Sequence, residues 1–376
     1  MEKNKKLKCQ GTICFLPSNN LNTILPIISD LFPILGQGWK ILVVTSDRHK
    51  KQKAFKKLND MCKNSSLVDT LFIKKGVDFQ KVIPMANKVL SVIKFVKTPY
   101  ITFFSSTDKP SLTGLSNIAK TMSENKDTAA IRGQIIGAIG IDKKRSFSDQ
   151  FFEIGEGISQ FGLESMSPSG IVYDTSALNQ TFILSKFEKK LRAHKDYPFA
   201  YLNILLATNF KTALVKDPVG TEIEELNSKI DKMSEYFSPC SYGQRCDQFI
   251  ALRNALLEGF IDVSKLNDRK NIKLEDLYFA VETLCTRLCT LMAEENGRIY
   301  REQMMGMELT LKSFAMFCIS GVEQFPEYAE LRVLLKNKLF PKIHALMKNI
   351  IESDKVSEVA HTNNESSIFY SRAQSV

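Results

Sequence analysis

No two cysteines of this chain stand in a C-x-x-C spacing, and its four histidines form no H-E-x-x-H or H-x-x-x-H pattern. A zinc ribbon and a thioredoxin-like redox motif are thereby excluded, and no zinc site built from protein ligands is expected. The eight cysteines are scattered, and Cys285 and Cys289 lie one helical turn apart beside Leu284 and Leu288, which reads as buried thiols. The expected compartment is the reducing cytoplasm. Nowhere do about 18 apolar residues run together, so no membrane span is expected. The lysine-rich start gives way to an apolar stretch broken at Pro17-Ser18-Asn19-Asn20, too short and too polar for a signal peptide. At most the protein lies peripherally on the inner face of a membrane. The phosphate-cradling G-x-x-x-x-G-K-[ST], the dinucleotide G-x-G-x-x-G and the nucleophile-elbow G-x-S-x-G are all missing. So are zinc-finger, ribonucleoprotein and helix-turn-helix signatures, leaving nucleic-acid binding without support.

What is present is ordinary globular composition, with 44% apolar and 24% charged residues over 376, enough for two domains or for one α/β domain with a helical annex. The 25 phenylalanines point to an aromatic core. The formal net charge is +10. A field of that sign concentrates anions such as sugar nucleotides or anionic lipid surfaces, unless the lysines serve only solubility. They are densest at Lys3 to Lys8, Arg48 to Lys57 and Phe187 to Lys195, and no cluster interleaves aromatics as a single-strand binder would.

Hydrophobic patterning gives the order of elements. Gly11 to Pro17 is a buried strand running into a turn, and Leu21 to Leu35 carries apolar residues at helical spacing. Lys40 to Val44 is a second strand, followed by Thr45-Ser46-Asp47; a lysine-rich helical stretch reaches Cys62, and Leu71 to Ile73 is a third strand. Ile83 to Val96 is an amphipathic helix, Tyr100 to Phe104 a fourth strand, Ser105 to Pro110 a polar turn, Leu112 to Met122 a helix and Ala129 to Gly133 a strand. A strand over Gly170–Tyr173, helices from Ser176 to Phe187 and from Tyr197, and a last strand over Lys211 to Val215 follow. Such alternation predicts right-handed crossovers and a mostly parallel sheet, whose ligands bind beyond the carboxyl ends of the strands. Beyond Glu222 the periodic stretches Phe249–Phe260, Leu277–Met292, Gln303–Phe317 and Val333–Ile351 read as a helical region, and the polar tail from Ser353 as mobile. The expected division is 1–225, 226–352 and 353–376.

The segment from Lys88 to Gly133 resembles family 2 glycosyltransferases of the GT-A fold, especially a bacterial surface-polysaccharide subgroup. The resemblance rests on an amphipathic helix, Thr98-Pro99-Tyr100 leading into a strand, a polar turn, and Gly114-Leu115 opening the next helix. It covers roughly residues 11 to 225, and the helical remainder is only loosely shared. The implied fold class is α/β: a GT-A, Rossmann-like N-terminal domain followed by a C-terminal helical region. The implied activity is transfer of a sugar from a nucleoside-diphosphate donor to a polysaccharide or lipid-linked acceptor.

In that subgroup a triple-Asp turn holds a divalent cation that clamps the donor diphosphate. Here the triplet reads Ser106-Thr107-Asp108, leaving Asp108 as the implied ligand of Mg²⁺ or Mn²⁺, with Ser105, Ser106 and Thr107 as weaker donors to water or phosphate. An Asp after a strand is also an ordinary turn residue. Pro17, Ser18 and Asn20 match the family's opening loop at the nucleotide pocket, or else form a plain strand-to-helix turn with a capping Asn. The acidic residue that reads the base in relatives is displaced, which leaves Thr45, Ser46 and Asp47 for that role. The general base implied is Asp196, which equally suits a helix cap before Tyr197 or Pro198. Asp174 falls where relatives open a helix. The loop expected over Asp217–Glu222 lacks the Arg that relatives use on phosphate, with Lys211 and Lys216 as stand-ins. These departures leave open a catalytically silent relative that acts as a binding or scaffold subunit, or a transferase that needs no metal. The Leu- and Met-rich helices would supply a face for a homodimer.

Overall fold

The structure, a computed structural model, describes residues 9–16, 21–35, 38–47, 49–73, 84–137, 148–164, 168–194, 198–223, 242–266, 275, 277–284, 322, 325–345 and 349. Two compact units divide the chain, one of residues 1–238 with 258–271, the other of 239–257 with 272–376.

The first unit is a nine-stranded sheet with helices on both faces. Apolar runs that can be buried on two sides supply β1 (Gly11–Phe15), β2 (Trp39–Thr45) and β4 (Tyr100–Phe104), while the half-buried β3 (Val68–Phe72) forms the edge beyond β2. All four run parallel, and their order is β3-β2-β1-β4. The chain therefore winds outward from β1 to β3 and returns to the other side of β1 for β4. Right-handed crossovers then put α1 (Leu25–Leu31) and α2 (Lys53–Asn64) on one face and α3 (Met85–Phe95) on the other. Apolar side chains of α1 and α2, and of α4 (Leu112–Glu124), share a core with Ile13, Phe15, Trp39, Ile41, Val43 and Phe104. Each such side chain contributes about 1.5–3 kcal/mol by leaving water.

Beyond β4 the sheet continues through β8 (Ile171–Asp174), β6 (Thr128–Ile136), β9 (Lys211–Glu222) and β5 (Asp108–Pro110), with β7 (Gln150–Phe152) also on β9. Strand β8 runs antiparallel between β4 and β6, and β6 and β9 are parallel to each other. The sheet is thus mostly parallel, as expected, with antiparallel insertions. Short α5 (Gln160–Glu164) and α6 (Thr175–Leu178), then α7 (Thr181–Lys190) and α8 (Pro198–Asn209), complete the unit. Helix α8 is buried from Pro198 to Thr208, so it has no solvent face, and its Phe199 ring meets Phe103 edge-on at 5.1 Å.

Three expectations are corrected. The stretch expected to form a loop over Asp217–Glu222 is the second half of β9. Pro218, which cannot donate to a ladder, sits at a register shift against Gln134, where a bulge absorbs it. Asp108 is not in the turn but opens β5, paired with that same half of β9. The helix expected from Ser176 to Phe187 is two, α6 and α7, separated at Asn179 and Gln180.

Close approach explains two glycines. A Cβ on Gly114 would lie 1.9 Å from the Pro218 carbonyl, and one on Gly11 would lie 2.2 Å from the Trp39 ring. Gly114 thus lets α4 lie directly on β9. Trp39 is held besides by Nε1–H donating to Ser116 Oγ on α4 at 3.1 Å.

The second unit is helical where described: the N-terminal part of the helix Tyr242–Leu266, 277–284 and 329–345, the last with a π-helical turn at Leu335–Leu339. Leu252, Leu256, Leu284, Leu331, Leu335 and Ile343 are buried there, and Tyr328 donates its hydroxyl to the Leu257 carbonyl at 3.0 Å. The stretch Gln303–Phe317, Cys285, Cys289 and the tail lie outside the described residues.

Candidate functional site

Strand order alone singles out one place. In sheets of this kind ligands occupy the crevice beyond the carboxyl ends of the strands where the strand order reverses, and here that place falls between β1 and β4. The register sets Phe15 beside Phe104, so the two strands end level. The chain leaves them through Leu16 and through Ser105.

The turn after Phe104 is built of hydroxyls around one carboxylate. Ser105 Oγ donates to Asp108 Oδ2 at 2.8 Å and lies 2.7 Å from Thr107 Oγ1, while Thr107 N–H donates back to Ser105 Oγ at 3.2 Å. Ser105 N–H donates to Ser169 Oγ at 2.9 Å, which ties the turn to the start of β8. Ser105, Ser106, Asp108 and Ser169 are buried, and Thr107 is half-buried. The Thr107 carbonyl accepts from Ile223 N–H at 2.8 Å, anchoring the turn to the end of β9. This polar turn therefore has a fixed shape.

Asp108 stands directly opposite Glu222 in the antiparallel β5–β9 pair. Opposed residues of such a pair share a face with Cβ atoms about 5 Å apart, and two like charges there are destabilising. A second carboxylate thus accompanies Asp108, from a part of the chain that sequence reasoning took for a loop. The signal was slight: an acidic residue closing a β-branched run, far from Asp108 in sequence. Among the described residues no group of three or more His, Cys, Asp and Glu comes together.

The second strand's end is more self-contained. Thr45 is buried, with its hydroxyl 3.5 Å from the Leu71 carbonyl of β3. Ser46 N–H donates to His49 Nδ1 at 3.1 Å, and Asp47 pairs with Lys50 at 3.0 Å. Both partners of that pair are more than half exposed, so it adds little stability. Lys50 also lies 4.1 Å from the centre of the Phe72 ring. Gln52, before α2, accepts from Leu21 N–H at 2.9 Å and so links this loop to the chain just past the first loop. Pro17, Ser18 and Asn20 themselves lie outside the described residues, as does Asp196.

No protein-family model matches this chain, and no curated protein matches it. Solved structures do resemble it. It is similar to Staphylococcus aureus TarS 1–349 at 12% identity and a TM-score of 0.45, over 93% of this chain and 92% of that one. With the longer S. aureus TarS the identity is 11% and the TM-score 0.49, over 90% of this chain and 55% of TarS, so the chain spans about half of that protein's length. With the mannosyltransferase PcManGT from Pyrobaculum calidifontis, in complex with GDP-Man and Mn²⁺, identity is 10% and the TM-score 0.43, over 94% and 87% of the two chains. All three scores are below 0.5, and the functional reading rests instead on this chain's own strand order and side chains.

Other candidates fall elsewhere. Asp174 pairs with Tyr100 at the amino end of β4, away from the crevice, and caps α6 by accepting from Ala177 N–H at 2.9 Å. Lys211 opens β9, also at an amino end, and meets Glu153 at 2.9 Å. Lys216 is exposed in mid-strand, its N–H donating to Asp149 Oδ1 at 2.9 Å. Near Asp196, His194 is buried and stacks on Tyr201 with ring centres 4.0 Å apart. Burial, and then Lys190, push the His194 pKa down to about 3, so it is a neutral packing group rather than an acid–base catalyst near pH 7.

Proposed function

We propose that the chain is a glycosyltransferase of the GT-A type, moving a sugar from a nucleoside-diphosphate donor to a polysaccharide or lipid-linked acceptor. The single observation that carries this reading is the hydrogen-bonded turn Ser105–Thr107 closing on the Asp108 carboxylate at the carboxyl end of β4, where the strand order reverses. The donor set there is oxygen only: the Asp108 and Glu222 carboxylates and the hydroxyls of Ser105 and Thr107. That chemistry fits a hard divalent cation, Mg²⁺ or Mn²⁺, which Asp108 and Glu222 would hold. When bound, the cation offsets the charge that grows on the diphosphate leaving group.

The chain's own residues take the remaining parts. Ser105 orients the Asp108 carboxylate by donating to Oδ2. Ser106 and Thr107 face phosphate oxygens or their waters. Pro17, Ser18 and Asn20 line the nucleotide side, and Thr45, Ser46 and Asp47 flank the base. Asp196, which precedes α8, takes the proton from the acceptor hydroxyl as it attacks the anomeric carbon.

Nucleoside diphosphates and their sugars, screened by thermal shift with and without Mn²⁺, provide the test. A ligand bound only by the folded state raises its melting temperature. The expected result is a metal-dependent rise for one nucleotide class, abolished by Asp108→Ala and weakened by Glu222→Gln. A flat screen overturns the reading. It would favour a catalytically silent relative serving as a scaffold subunit, which the serine and threonine at 106 and 107 also suit.

A further inference from the structure

Helix α2 turns Ala54 and Leu58 into the core and presents Lys53, Lys56, Lys57 and Lys63 to solvent, with Lys51 exposed just before it. Elsewhere in this unit Lys94, Lys109, Lys186, Lys190 and Lys211 each meet a carboxylate. Lys51, Lys53, Lys56, Lys57 and Lys63 meet none among the described residues. Five such cations along the thirteen residues from Lys51 to Lys63 repel one another, and Asp60 is the one acid on that exposed row. A surface kept in this state suits an anionic partner.

Its place and shape narrow the partner. The Gln52–Leu21 hydrogen bond sets the first of these lysines beside the start of the chain that leads to α1, and because α2 follows β2 the row begins on the carboxyl-end side of the sheet. From there it follows α2 down the flank of the sheet for about 18 Å, at 1.5 Å per residue. A row one helix wide matches a linear polyanion better than a plane of headgroups. The helix also offers no exposed large apolar residue that could enter a bilayer.

We propose that the α2 lysines bind a linear polyanionic chain, one bearing repeated phosphate or carboxylate groups, and lead its end into the crevice as the acceptor. The acceptor role rests on the glycosyltransferase reading, whereas the polyanion binding does not.

The experiment titrates the full chain with long-chain inorganic polyphosphate across a salt series. In parallel it tests sedimentation with phosphatidylcholine vesicles containing or lacking phosphatidylserine, and the donor thermal shift. The triple variant Lys53→Gln, Lys56→Gln, Lys57→Gln is compared with Lys120→Gln, Lys126→Gln, Lys189→Gln, which removes equal charge from other exposed positions. Loss of three phosphate contacts is expected to weaken polyphosphate binding about tenfold and to lower the slope of log K against log salt by about 2, with the control set near wild type. The donor shift stays unchanged in both variants. Equal losses in both variants overturn the proposal, as does binding to phosphatidylserine vesicles but not to polyphosphate, or binding to neither. A flat donor screen with intact, α2-dependent polyphosphate binding overturns the glycosyltransferase reading alone.

Discussion

His194 shows how a single buried ring gives the fold a pH dependence. Its neighbours are Tyr201, which stacks on it, and Lys190, whose own partner is Glu258 at 3.4 Å; Glu258 and Asp262 also lie close enough to Tyr201 to raise that phenol's pKa. The folded pKa of about 3 lies below the ordinary 6.5, so between these values the unfolded chain binds a proton that the native one refuses. The stability held by neutral His194 is therefore complete above pH 6.5 and is lost as the pH falls toward 3. At ~1.4 kcal/mol per pKa unit the loss amounts to several kcal/mol. Urea titrations between pH 7 and 4 should show it, and His194→Phe should flatten the dependence. An unchanged slope in that variant would assign the acid lability to other groups. At the turn, Ser105→Ala removes the hydroxyl that orients Asp108 while leaving the backbone bond to Ser169. Mn²⁺-dependent donor binding should weaken by about tenfold, the worth of ~1–1.5 kcal/mol for one hydrogen bond. Isothermal titration with and without the metal would read it.

Among elements, the docking of α4 on β9 at Gly114 is a close fit open to direct test. Gly114→Ala forces a methyl into the Pro218 carbonyl, and overpacking of this kind costs about 1–3 kcal/mol. Since Pro218 precedes the stretch of β9 that pairs with Asp108, the same variant should also lower affinity for a metal-dependent donor. A stability loss with unaltered donor affinity would show that the β5–β9 pair tolerates the shift. This region also marks where sequence reading succeeds and fails. GTICF, KILVV and YITFF are short apolar runs closed by polar turns, and each became a strand within a residue or two of expectation. Their patterning is local, so it survives in one dimension. The second half of β9 contains Lys216, Asp217, Pro218 and Gly220, which spell a loop until a neighbouring strand with a bulge receives them. The reversed direction of β8 leaves no trace in periodicity, because a buried strand reads the same both ways. Of the candidate site, the polar turn that closes β4 was legible, whereas the place of Asp108 in β5 and its partnership with Glu222 were not. Both depend on strand pairing between distant segments.

At the scale of the whole molecule the charge of +10 acts as a field. Ions at 0.15 M screen it beyond about 8 Å, so it speeds the arrival of anions more than it holds them. Stopped-flow association of a nucleoside diphosphate should therefore slow several-fold from low to high ionic strength, with dissociation changing much less. Equal effects on both rates would place the electrostatics in the bound complex instead. No helix among the described residues is long and apolar enough to cross a membrane. The strand order carries one more consequence, which belongs to time. Strand β5 is made early, yet its partner strand among the described residues is β9. A ribosome adding ~5–20 residues per second needs roughly 5–20 s to make the intervening hundred or so. During that interval β1 to β4 can already pair while Asp108 waits without its neighbour. A nascent chain arrested before Lys211 would thus hold a folded parallel sheet but an unfinished candidate site, in which Asp108 gains Glu222 as its neighbour only when the last strand is delivered.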